Sequence, residues 1–356
     1  MELVINRVPV LGNGEIFKMK NISCSDTKQL FKIFSDVKET KLINVTDESY
    51  VQQYHSNLIE YIKIKKLDKS DLSYVKEDFE NVSREAFSYM RGLLRFYEEI
   101  IKLSDIVTWK FDFHKALALD CIVLSQFFYS DHFWSDERCS AIAYKILNQL
   151  LNFFKCKNIN ELFFGGDNIN KAFKKLYPNG VLKLLLEEFV SIFKKNSWKN
   201  YPSYKDTFSW ILFNVQSPQM SDYVVYFLPP ALFILDDWEL ENKVYGVKAL
   251  QHMMKNLPSS ELRWYGRANV IFDALNHNLH TREPSVLEVA YPATILAASI
   301  LEKCPKTAKS MQKKFYDGLM DRLLSEMNFE QMLKLRTIYA HALKLLVEEM
   351  KLFSVK

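Results

Sequence analysis

From Pro9 to Pro178 the sequence contains no proline, and beyond Gly14 the glycines in that span are Gly92 and the pair Gly165–Gly166. Chains that fold into sheets need turn residues every few positions, so a stretch this poor in them predicts long helices. The apolar residues agree. In 79-FENVSREAFSYMRGLLRFYEEII, Phe79, Val82, Ala86, Met90, Leu93 and Tyr97 recur every three or four positions, as do Ala143, Ile146, Leu150 and Phe153 further on. Ser135–Asp136 before Glu137 marks the start of that second helix.

The second half is punctuated instead. Pro258, Pro284 and Pro305 each follow a helical segment and open the next, a position where proline loses no intrahelical bond. Two helices are expected between Pro258 and Pro305, 47 residues apart, close to the unit of about 40–47 residues in HEAT-type arrays. Two apolar stripes, Tyr265, Ala268, Phe272, Leu275, Leu279 and Met332, Leu335, Tyr339, Ala342, Leu346, each need a neighbouring helix to cover them. Pro292, inside 284-PSVLEVAYPATILAASILEK, is expected to kink or split its helix. The predicted fold is therefore all-α, an α-solenoid of HEAT/ARM-like helical hairpins. Its parts are a flexible arm over 1–25, an N-terminal helical region over 26–216 and a C-terminal region over 217–356.

Composition narrows the function. The chain is 48% hydrophobic and 25% charged, with a formal net charge of +4. Its lysine pairs are scattered among acidic and apolar residues, which argues against a nucleic-acid-binding face. Five dispersed cysteines without a CxxC read as reduced thiols, and no apolar run approaches the roughly 20 residues that span a bilayer. The N-terminus lacks the pattern of a signal peptide, and the expected location is cytoplasmic, with the nucleus as a second site.

Three groups could carry chemistry. Asp236 and Asp237 interrupt 228-LPPALFILDDWELENKVYG, and paired aspartates can hold magnesium in all-helical enzymes. The fifth position of the isoprenoid-synthase motif is Leu240 rather than an acid, however, and no second acidic motif faces it. Asp236 followed by Glu239 instead fits a capping box that starts a helix, with Asp237 complementing its positive end. Asp273, His277 and His280 share one helical face and could form a metal triad, but three ligands from one straight helix rarely converge. The aromatic run 127-FFYSDHFW-134 reads as a helix end joined to the core. His114, His252 and His341 stand alone on helices, where packing or a hydrogen bond is expected of them. No GxGxxG, P-loop, GxSxG or HExxH occurs, and no cofactor is predicted.

Three blocks carry a resemblance: 229-PPALFILDDWELENKVYGVKALQHMMKNLP, 262-LRWYGRANVIFDALNHNLHTREP and 335-LRTIYAHAL. In their order and spacing they resemble the Tel-Two-Interacting protein Two family. The residues that match its motifs are Asp236, Asp237, Lys243, Gly246, Arg267, Ala268, Phe272, Arg282, Glu283, Arg336, Tyr339 and Ala340. The resemblance implies a non-enzymatic subunit of the Triple-T cochaperone complex. It implies a direct partner, Tel-Two-Interacting protein One, and through it the Tel-two subunit. Beyond them it implies the ninety-kilodalton heat-shock chaperone system and its clients, the phosphatidylinositol-3-kinase-related kinases. Arg267, Arg282 and Glu283 are the expected rim contacts. Family chains continue past 335-LRTIYAHAL with further helices, so the resemblance implies either an exposed apolar face or a missing part of a partner surface where this sequence ends at Lys356.

Overall fold

The computed structural model describes residues 48–64, 75–103, 111–129, 132–167, 169, 171–194, 197–200, 203–303 and 314–350. The expected arm over 1–25, Pro305 and the end at Lys356 lie outside them. Among the described residues there are 15 α-helices and no strand, so the chain is all-α and solenoid-like. Two compact units divide it: Met1–Leu185 with Lys199–Thr207, and Leu186–Trp198 with Phe208–Lys356.

The first unit contains α1 (Glu48–Ile62), α2 (Glu80–Leu103), α3 (Phe111–Ser125), α4 (Glu137–Phe154), α5 (Ile159–Phe164) and α6 (Lys171–Leu176). The two stripes read from the sequence are its core. Ala86, Met90, Leu93 and Tyr97 on α2 and Ala143, Ile146, Leu150 and Phe153 on α4 are buried where these helices pack together. Asp136 caps α4 as expected, its carboxylate accepting from the Cys139 N–H at 2.8 Å. In the aromatic run, Phe127, Phe128 and Trp134 are buried, and the Trp134 indole donates to the Gln126 carbonyl at 2.7 Å. Its Tyr129 and Phe133 are exposed. His114 packs beside Phe153 and Phe154. Cys121, Cys139 and Cys156 are free and buried. Burial pushes the Cys156 thiol up to about 12, so it stays protonated and unreactive at neutral pH. A polar knot lies in the same interior. Asp120 accepts from the Tyr97 hydroxyl at 2.6 Å and meets the His55 Nε2 at 2.8 Å, which provides hydrogen-bond partners where an isolated charge would be costly.

Helices α7 (Leu182–Lys194) and α8 (Tyr204–Phe213) lead into the second unit. There α9 (Met220–Leu235), α10 (Leu240–Asn256), α11 (Ser259–Trp264), α12 (Arg267–Asn278), α13 (Pro284–Glu302), α14 (Lys314–Phe329) and α15 (Leu333–Met350) build a stack. α9 pairs with α10, α12 with α13 and α14 with α15, while α10 packs on α13 and α13 on α15. The second helix of each hairpin thus forms the spine. His252 on α10 meets the Val215 carbonyl at 2.8 Å, as a lone helical histidine was expected to do, whereas His341 on α15 is exposed.

Several sequence expectations are corrected here. Three helices, not two, follow Pro258, because the expected single helix breaks at Tyr265–Gly266, where Gly266 is left-handed (φ 68°). Tyr265 and Met332, the first members of their stripes, are exposed, while the later members are buried. Pro292 neither splits nor ends α13. Its missing N–H leaves the carbonyl of Glu288, an exposed residue, without its usual helical donor. Pro229 and Pro230 likewise lie inside α9. α13 has the length and composition to cross a bilayer, but 67% of its apolar window is buried among its neighbours, as in a core helix. The outward side of α15 carries Arg336, Thr337, His341, Lys344 and Glu348, and the face expected near Lys356 lies outside the described residues.

Candidate partner-binding edge

The turns inside the three hairpins of the second unit, 236–239, 279–283 and 330–332, lie along one edge. Side-chain bonds join them. The Lys243 ammonium donates to Asn278 Oδ1 at 3.1 Å, linking the first hairpin to the second, and the Arg282 guanidinium donates to Glu330 Oε2 at 2.7 Å, linking the second to the third. This row gathers Asp236, Asp237, Lys243, Arg282 and Glu283, with Arg336 and Tyr339 in the opening turns of α15. Arg267 stands at the opposite edge, where α12 begins.

The paired aspartates are not a helix start. Asp236 is the C-cap of α9, its N–H bonded to the Leu232 carbonyl at 3.0 Å. α10 begins only at Leu240, and its N-cap, Glu239, makes no side-chain capping bond. Asp237 is the one that binds backbone, accepting from the Glu239 N–H at 3.1 Å from a buried position. The capping box read on Asp236 is therefore corrected. The apolar run continues through Leu235, and four residues of turn, 236–239, separate the helices where the sequence pattern allowed none.

Arg282 is not a bare rim charge. One guanidinium nitrogen holds Glu330 while the side chain stays 71% exposed. Glu330 in turn caps α15, accepting from the Gln331 and Met332 N–H groups at 2.9 Å each. The Met332 N–H, followed by the Arg282 guanidinium, holds this carboxyl below the usual carboxylate range. Glu283 is exposed and is the N-cap of α13, its N–H donating to Thr281 Oγ1 at 3.3 Å. Arg267 folds back across its own turn: it donates to Glu261 at 2.9 Å and lies 4.5 Å over the Tyr265 ring. Tyr339 is buried, edge-on to Tyr291 with ring centroids 5.7 Å apart. Ala268 and Phe272 are buried in the α12 stripe, and Ala340 faces outward. Gly246 is required by a close crossing: a Cβ there would stand 2.5 Å from Leu235 Cα.

Asp273, His277 and His280 do not form one helical face, because α12 ends at Asn278 and His280 lies beyond its cap. His280 instead has the Arg322 guanidinium 3.5 Å away, a cation where a metal would sit. Among the described residues no three His, Cys, Asp or Glu side chains are grouped to hold a metal ion.

Sequence reasoning missed the apolar members of this edge. Trp238, Phe329, Met332 and Leu333 are all exposed. Met332 was assigned to the buried stripe, Trp238 falls in a turn, and Phe329 and Leu333 are the end residues of α14 and α15, where periodicity says little. The arrangement contains no assembled catalytic constellation. It offers large apolar side chains beside arginines, which is the composition of protein-binding hot spots.

TELO2-interacting protein 2 of Homo sapiens is 30% identical over 225 residues, 63% of this chain and 43% of that protein. The Rattus norvegicus protein of the same name is 28% identical over 225 residues, 42% of its length. An uncharacterized protein of Arabidopsis thaliana is 26% identical over 129 residues. The chain thus spans less than half the length of the curated relatives it matches. Solved structures of two engineered proteins superpose with TM-scores of 0.38 and 0.35, at 14% and 12% identity, over 82% and 92% of this chain and 97% and 91% of theirs. Residues 121–356 match the Tti2 family, two-thirds of the chain including the whole hairpin stack, and the chain belongs to that family.

Proposed function

We propose that this chain is a non-enzymatic scaffold subunit of a Triple-T cochaperone assembly. It binds Tel-Two-Interacting protein One directly and, through it, the Tel-two subunit. With the heat-shock chaperone machinery the assembly supports maturation and stability of phosphatidylinositol-3-kinase-related kinases. Its place is cytoplasmic, with access to the nucleus, and it works without a cofactor, nucleic acid or membrane. The observation that carries this reading is the hairpin edge itself: family-motif residues and exposed Trp238, Phe329 and Leu333 lie along one stitched row. Family membership and the curated relatives' name, which specifies interaction with TELO2, support it. Stacked hairpins suit the task because they make a long binding surface without a pocket.

The test is affinity purification of the endogenous chain from native cells, followed by mass spectrometry. Recovery of the two Triple-T partners at comparable stoichiometry, and loss of kinase protein when the chain is depleted, is the expected result. A chain that purifies without either partner would refute the reading.

A further inference from the structure

We infer that the α14–α15 turn and the start of α15 form a docking site for an acidic amphipathic helix of a partner subunit. The inference rests on the scaffold reading above and names the surface that reading leaves open. Three consecutive features of this site run against what the fold alone needs. Phe329 is 85% and Leu333 79% exposed, and Met332 between them is also exposed, so three large apolar side chains share one turn. The first turn of α15 contains no acidic residue, and Lys334 and Arg336 stand at that end instead. Cations are electrostatically misplaced at the positive end of a helix, where aspartate or glutamate is favoured. Neither Lys334 nor Arg336 has an ion-pair partner among the described residues, and Arg282 next to them keeps most of its guanidinium outward. The acid at this end, Glu330, is buried and committed to the Met332 and Gln331 N–H groups and to Arg282.

Together these features define the occupant by charge and shape. An apolar cluster flanked by Lys334, Arg336 and Arg282 matches a helix with one greasy stripe and carboxylates beside it. A carboxylate arriving there also meets the positive end of α15. Aromatic and arginine side chains together are the groups that concentrate binding energy at protein interfaces. Exposed Trp264 and Tyr265 at the opposite edge provide an internal control, because there Arg267 is occupied by Glu261 and stacked on Tyr265.

The experiment uses the full chain and the purified Tel-two-type and Tel-Two-Interacting protein One-type subunits. Affinities are measured for wild type, for Lys334→Glu with Arg336→Glu, for Phe329→Asp with Leu333→Asp, and for Trp264→Ala. All five positions are exposed, so helicity and melting should match wild type in every variant. Expected is a loss of about tenfold or more for each of the two edge pairs, with Trp264→Ala unchanged. A zero-length carbodiimide should also join the Lys334 amine to an aspartate or glutamate of the partner. Equal affinities across the set, or a loss confined to Trp264→Ala, would overturn the site while leaving the scaffold reading intact. Self-association of the wild type that the Phe329/Leu333 variant abolishes would replace the partner helix by a second copy and overturn it as well. Capture of neither subunit by wild type would bring down the scaffold reading and this site together.

Discussion

Replacing Gly246 by alanine should be costly in a way that the same change elsewhere is not. A Cβ at position 246 would lie 2.5 Å from Leu235 Cα and 2.6 Å from its backbone nitrogen. Unstrained carbon pairs sit about 3.5–4.0 Å apart, so α10 must retreat from α9 by about 1 Å. The obstacle is backbone, which cannot rotate away. Overpacking of this kind costs about 1–3 kcal/mol, and a backbone clash belongs at the upper end. Alanine recovers about 1 kcal/mol of helix propensity, leaving a net loss of about 2 kcal/mol. Gly318, within α14, is the control: nothing lies within 4 Å of its added Cβ. There alanine should stabilise by about 0.5–1 kcal/mol through the same propensity. The two variants should therefore move in opposite directions, separated by about 3 kcal/mol in urea denaturation followed by circular dichroism. Amide exchange should locate the Gly246→Ala loss in α9 and α10. A Gly246→Ala protein as stable as Gly318→Ala would refute the close crossing and the pairing of the first hairpin built on it.

The remaining predictions concern the turns. Asp237→Ala should cost about 1–2 kcal/mol in denaturant melts, because the buried acceptor for the Glu239 N–H disappears, while Asp236→Ala stays within about 0.5 kcal/mol. A capping box on Asp236 would give the reverse order. Glu330 has its folded pKa depressed, so its contribution is present above the unfolded value of about 4.3 and is lost as pH falls through the folded value. Wild type should accordingly lose stability on acidification more steeply than Glu330→Gln, as read from melting temperatures between pH 6 and pH 3. Arg267→Ala, which removes an ion pair and a ring stack, should cost about 1 kcal/mol and leave partner affinity unchanged, as equilibrium denaturation and a binding titration would show.

What could be read beforehand follows a physical divide. The stripes on α2 and α4 were visible because a helix buries every third or fourth residue, and that period is written locally. Asp136 was legible as a cap for the same reason, since its partner is three residues away. The paired aspartates were not, because Asp-x-x-Glu fits a capping box while Asp237 answers a turn whose length only the packing of α9 on α10 sets. Pro292 reads as a helix breaker, yet α13 runs through it, and the carbonyl it strands belongs to the exposed residue Glu288. Arg282 and Glu330 are 48 residues apart in sequence, and no local pattern announces their pairing. The exposed apolar turn was hidden by its own composition. Met332 and Phe329 look like core residues, and only the fold shows that the end of α14 and the turn after it leave them outside.

α13 has one further consequence. Thirteen of its side chains are buried, and it touches α10, α11, α12, α14 and α15. Each residue added to a helix turns everything beyond it by about 100°. A single insertion in the middle of α13 would therefore swing half of these seats away from their partners at once, whereas the same insertion in the connection at 281–283 would leave those seats in place and disturb only the Arg282–Glu330 link and the Glu283 cap. Tolerance to length change should thus be banded along this part of the chain, forbidden across the central axle and permitted at the rims.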